Sequence, residues 1–266
     1  MNRTLRRLAL LLLLAACSSP ERKEIARGNV LFNQGKVGEA IAEYRGALEK
    51  NPKFTEGWVA LGLAYYTSAK YAEAIEAYEN AVALNAKSWH AHKGLGAAAL
   101  KLGQFDRAAK EFRTILDSDE KNTSVADDLA KVYYAKGELN EAKTLFERVL
   151  GIDDSDPVAL YFLGDIARKQ GRYDDALVWF GKLAKVRPEK PEAIYGTAQV
   201  LAQRNDRDGA LEAIHKAIAR GLLDVEGVRK DPALLSLRGD PRFEDLLKSI
   251  EAKMAHARTL IKPKAP

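Results

Sequence analysis

One cysteine in 266 residues excludes an internal disulfide framework, so packing alone must hold the fold together. Nine prolines and two methionines leave long Ala-, Leu-, Lys- and Glu-rich stretches uninterrupted, the composition of helices. The longest apolar run, Leu8 to Ala16, is nine residues, far short of the roughly 20 a membrane-spanning helix needs. Blocks of like charge are also missing. The formal net charge of +5 owes three units to Arg3, Arg6 and Arg7, and beyond residue 16 it falls to +2 with the signs interleaved. That distribution argues against a nucleic-acid partner. With 47% hydrophobic and 30% charged residues, neither a disordered chain nor an integral membrane protein is expected.

Chemistry is as sparse. The four histidines are His90, His92, His215 and His256, and the nearest two are two residues apart on a predicted helix, pointing in different directions. His92 falls where the preceding repeat has Trp58, which predicts a packed core residue. Nucleophile, phosphate-loop and zinc-helix motifs are absent, and acidic neighbours such as Asp127–Asp128 suit a solvated helix. Neither an enzyme, a small-molecule substrate, a metal nor a non-covalent cofactor is expected.

The first residues, MNRTLRRLALLLLLAAC, carry a basic start and a short apolar run. Leu14-Ala15-Ala16-Cys17 resembles the lipobox of bacterial lipoproteins. The resemblance implies a signal peptide at 1–16, cleavage before Cys17 and a covalent lipid on that cysteine. Ser18 in place of Asp implies the periplasmic face of the outer membrane, by likeness to enterobacterial lipoproteins. Residues 17–20 then form a tether. Ser18, Ser19 and Pro20 span at most about 11 Å, which places the first repeat near the membrane surface.

The rest of the chain is self-similar. Ala40, Ala74, Ala108, Ala142, Ala176 and Ala210 recur at one constant interval, with no insertion between them. Four residues after each stands a large side chain: Tyr44, Tyr78, Phe112, Phe146, Phe180 and Ile214. Twelve before stands a tiny one: Gly28, Gly62, Gly96, Ala130, Gly164 and Ala198. Five before stands a mostly turn-compatible residue: Gly35, Ala69, Gly103, Gly137, Gly171 and Asn205. The pattern predicts two packed helices per period, a close approach at the small residues and a turn between them.

These columns resemble the tetratricopeptide repeat, most fully in Trp58, Leu61, Gly62, Tyr65, Ala74, Tyr78 and Ala81. The likeness implies an all-α fold, a right-handed α–α superhelix of six repeats at 21–54, 55–88, 89–122, 123–156, 157–190 and 191–222. The terminal repeats drift, as expected where one face lacks a neighbour. Residues 223–266 are expected to cap the array, with Asp231-Pro232 and Asp240-Pro241 as helix starts. Phe243, Leu246, Leu247, Ile250 and Met254 should share one face of the last helix, and Ile261–Pro266 should fray.

In this family the concave surface is lined by the fifth, ninth and twelfth positions of each first helix. Carried across, the candidate peptide-binding residues are Val59, Leu63 and Tyr66; Lys93, Ala97 and Leu100; Asp127, Lys131 and Tyr134; Tyr161, Asp165 and Arg168; Tyr195 and Gln199. The Lys-then-Asn clamp of chaperone-tail receptors is missing, since these positions hold Ile25 and Asn29 in repeat one and Lys93 and Ala97 in repeat three. The expected role is an adaptor that binds proteins or peptides of the cell envelope, similar in build to the pilotins of type IV pilus secretins. The alternatives are a scaffold for envelope peptidases or cell-wall enzymes, or a subunit of a secretion or exopolysaccharide complex.

Overall fold

The computed structural model describes residues 19–222 and 224–261, with side chains of the last helix described as far as residue 252. Cys17, the side chain of Met254 and residues 262–266 lie outside that range. All regular structure among the described residues is helical, in two compact units, 1–138 and 139–266.

The first unit holds α1 (Pro20–Asn33), α2 (Val37–Lys50), α3 (Thr55–Thr67), α4 (Tyr71–Leu84), α5 (Trp89–Lys101), α6 (Phe105–Leu116) and α7 (Thr123–Lys136). The second holds α8 (Leu139–Leu150), α9 (Pro157–Lys169), α10 (Tyr173–Val186), α11 (Glu192–Gln203), α12 (Arg207–Ala219), α13 (Val225–Lys230), a 3-10 turn (Pro232–Leu237) and α14 (Pro241–Ile261). Helices pack in sequence order within each unit, α1 on α2, α2 on α3 and onward to α7, then α8 on α9 and onward to α12.

The alanine column has no solvent exposure at any of its six positions, and the large column is no more than 3% exposed. Replacing Ala108 with Leu therefore inserts volume into a filled site, an overpacking of about 1–3 kcal/mol. Rings of the large column lie directly against the small column: a Cβ on Gly62 would overlap Tyr78, and one on Gly164 would overlap Phe180. Tyr78 and Phe180 are also covered from the next repeat, where Gly94 and Gly196 leave no room for a Cβ. In the Gly94 column the second unit's Phe162 instead stacks parallel on Phe146, with centroids 5.0 Å apart.

Caps recur in register. Ser88 and Asn122 accept from the backbone N–H three residues on, and Asp156 accepts from Val158 and Ala159 at 2.9 and 2.8 Å. The turn column adopts left-handed backbone at all six positions, with Ala69 at φ 57° and Asn205 at φ 64°.

The sequence reading stops the repeats at residue 222, but their phase continues. Second helices start at Val37, Tyr71, Phe105, Leu139, Tyr173, Arg207 and Pro241, each at the interval that separates the column alanines. Asp224 sits in the cap column and accepts from Gly227, and Gly239, at φ 82°, sits in the turn column. The closing element is thus a seventh, broken repeat. Pro232 falls in its small-residue column and cannot continue an α-helix, so the first helix divides into α13 and the 3-10 turn. Both Asp-Pro pairs cap as expected, Asp231 accepting from Ala233 at 2.8 Å and Asp240 from Arg242 at 2.9 Å. Phe243, Leu247 and Ile250 are buried with Ile214 and Ile218 in one apolar cluster, which closes the end of repeat six.

Candidate protein-interaction face

The candidate residues sit on the first helix of their repeats, and the two units hold them in different states. In the first unit, α3 presents Leu63 at 46% exposure, flanked by half-buried Val59 and Tyr66. Tyr66 is fixed edge-on to Tyr71, centroids 5.4 Å apart. On α1, Phe32, in the column of Tyr66, is half-buried, while Val30 is exposed in a column that later repeats bury at Ala64 and Ala98. On α5, Ala97 and Leu100 are half-buried.

Further along, the face becomes polar. Lys93 donates to Ser124 at 2.8 Å and lies 3.6 Å from Asp128, which also holds Lys131 at 3.3 Å. Asp127 is buried and Tyr134 half-buried. Asp128, read from sequence only as a solvated charge, is the residue that links Lys93 and Lys131. Its three-residue spacing to Lys131 was the available signal.

In the second unit, Asp165 and Arg168 form a buried ion pair at 2.5 Å. The Arg168 guanidinium also donates to Gln203 at 3.0 Å, and Lys169 lies 3.8 Å from Asp165. On α11, the Tyr195 hydroxyl donates to Asp231 at 2.7 Å and the Gln199 amide to the same carboxylate oxygen at 2.6 Å. The other oxygen of Asp231 caps the 3-10 turn. Burial, and after it the Asp231 carboxylate, hold the Tyr195 phenol well above the ordinary tyrosine range. Burial likewise raises Tyr161, which packs 6.1 Å from Phe180. Register puts these residues in the columns of the candidate face. There Asp231 of the broken repeat bonds half-buried Tyr195 and buried Gln199, and Asp165 and Arg168 bond within the unit.

The histidine expected in the core is there. His92 is 8% exposed, its Nε2 3.1 Å from the Ala86 carbonyl, the bond that Trp58 makes to Pro52 at 2.8 Å one repeat earlier. Its Nδ1 lies 2.6 Å from Glu111.

Tandem helix pairs with small residues at each crossing and an exposed first-helix face define an all-α repeat protein of the protein-binding type. Four family models place it more closely: Tetratricopeptide repeat at 59–123, 103–166 and 159–192, and TPR repeat at 28–68. The chain belongs to the tetratricopeptide-repeat proteins. No curated protein matches it in sequence.

Several solved structures share the fold. A tetratricopeptide repeat protein from Parabacteroides merdae aligns over 92% of this chain and 94% of its own, at 17% identity and TM-score 0.72. Pseudomonas aeruginosa pilF aligns over 74% and 89%, at 19% identity and TM-score 0.62. YrrB, described as a TPR protein with an unusual peptide-binding site, aligns over 67% and 92%, at 21% identity and TM-score 0.52.

Proposed function

We propose that this protein is a lipid-anchored adaptor that holds another protein or peptide at the periplasmic face of the outer membrane. The carrying observation is the open apolar stretch of the first unit's face on α3, where Leu63 stands exposed with half-buried Val59 and Tyr66 one turn to either side. Apolar side chains left out on one face of packed helices suit the apolar stripe of a partner helix or an extended segment. Tyrosine beside them adds contact area and a polar tip at low entropic cost. Tetratricopeptide-repeat proteins act as interaction scaffolds, and nothing in this reading calls for catalysis.

The anchor rests on sequence: the lipobox-like Leu14–Cys17 and the short tether bring the exposed face near the membrane. A pilotin-like role in assembling an envelope complex fits that placement. Deletion separates it from the alternatives: lost secretin multimers mark the pilotin role, and altered peptidase or cell-wall activity marks recruitment of those enzymes.

The test is in-cell crosslinking of the full chain against a Leu63→Ser/Tyr66→Ala variant. The reading expects an envelope partner whose yield drops at least tenfold, while the fold, judged by circular dichroism, is retained. A partner kept at full yield moves the site elsewhere. Cys17→Ser should abolish palmitate labelling and release the protein from membranes; a variant still labelled and membrane-bound overturns the anchor.

A further inference from the structure

A second surface of the first unit has unbalanced charge. α2, α3 and α4 enclose a cleft of about 550 Å³ with Trp58 and Tyr65 among its lining and Glu49, Glu73 and Glu76 at its exposed rim. Among the described residues these three carboxylates form no ion pair. Arg45, the cation that lines the cleft, turns onto Tyr65 instead: its Nε donates to the hydroxyl at 2.9 Å, and its guanidinium carbon lies 5.7 Å from the ring centroid.

One repeat later α4, α5 and α6 enclose the equivalent cleft, also of about 550 Å³, and there each acid has its own side-chain partner. Glu79 pairs with Arg107, Asp106 with Lys136 at 2.8 Å, and Glu111 with His92 at 2.6 Å. Glu73 and Glu76 occupy the positions that Arg107 and Lys110 hold in the next repeat. Two cations of one cleft are thus two anions in the other, and among the described residues those anions lack an ion-pair partner.

We propose that the first cleft is a docking site for a basic side chain of a partner segment. The alkyl stem packs on the aromatic lining, and the charge is received by Glu49, Glu73 and Glu76. Arginine suits the site better than lysine, because its planar cation both stacks on rings and reaches more than one carboxylate. Arg45 on Tyr65 shows that the ring already receives a guanidinium. This site shares no residue with the face on Val59, Leu63 and Tyr66, so either can fail without the other.

The probe is acetyl-Leu-Arg-Leu-amide, titrated into the full chain while the indole N–H signal of Trp58 is followed by NMR. The expected result is a saturable shift in the millimolar range, at least tenfold weaker with citrulline in place of arginine. The shift should vanish in Glu73→Arg/Glu76→Lys, which installs the residue types present one repeat on, and weaken at least threefold in the milder Glu73→Gln/Glu76→Gln. No saturable shift, equal binding of the citrulline peptide, or undiminished binding by the folded variants overturns the proposal.

Discussion

Leu63 on α3 and Gln199 on α11 occupy the same position of their repeats, yet Leu63 is 46% exposed and Gln199 9%. Around Leu63 the face is apolar and, among the described residues, uncovered. Around Gln199 it is polar, and the carboxylate of Asp231 accepts from both Gln199 and Tyr195. The difference comes from the next repeat in each case. Repeat two is succeeded by a regular repeat whose first helix is continuous from Trp89 to Lys101, whereas repeat six is succeeded by one that Pro232 divides. Splitting that helix creates a new helix start on α11, and the capping aspartate there doubles as the acceptor for the two groove residues. A repeat register therefore specifies which side chains share a column, while neighbouring repeats decide which of them a partner can reach.

The largest expected effect lies in the covered region. Arg168→Met removes the shorter of the two ion pairs of Asp165, whose side chain is 7% exposed, and the bond to Gln203. Breaking a buried pair costs about 3–5 kcal/mol, so the thermal transition should fall by more than 5 °C. A loss below about 1 kcal/mol would show that the pair is hydrated and that the second unit's face is more open than its contacts indicate.

Asp231→Ala comes next. It deletes the acceptor for Tyr195 and Gln199 together with the cap on Ala233, an expected loss of about 2–3 kcal/mol. Asp231→Asn, which keeps an acceptor oxygen but loses the charge, should recover roughly half of it. Hydrogen exchange localises the effect: α11 and the 3-10 turn should exchange faster while α3 is unchanged. Equal acceleration in both helices would dissolve the contrast between the regions.

Much of this was legible in the sequence for a plain reason. Alanine at Ala40 or Ala142 and glycine at Gly62 or Gly164 are dictated by contacts that every repeat makes alike, so their identity recurs with the period of the array. The Gly94 column was not legible, because its residue does not recur with the period, running Ala60, Gly94, Asp128, Phe162, Gly196, even where the preceding ring is the same. The seventh repeat was hidden by Pro232, Glu244 and Lys248, which stand in the small, alanine and aromatic columns. Asp224 and Gly239 kept the phase visible. The burial of Asp165, Arg168 and Gln199 could not be read at all, since it depends on Gln203, Asp231 and their neighbours rather than on the residues' own spacing.

The smallest expected effect is at the turns, where each region holds one non-glycine residue in left-handed backbone, Ala69 at φ 57° and Asn205 at φ 64°. Both are exposed, so substitution changes backbone strain with little change in packing. Alanine there costs about 1 kcal/mol because its Cβ crowds the backbone, whereas asparagine visits this conformation more readily. Ala69→Gly should therefore stabilise by roughly 0.5–1 kcal/mol after the entropy that glycine loses on folding, and Asn205→Gly by no more than a few tenths. Chemical denaturation of the two variants beside the parent measures the difference. Equal gains would mean that the turns of the two regions carry the same strain, leaving the first-helix faces as the feature that sets the regions apart.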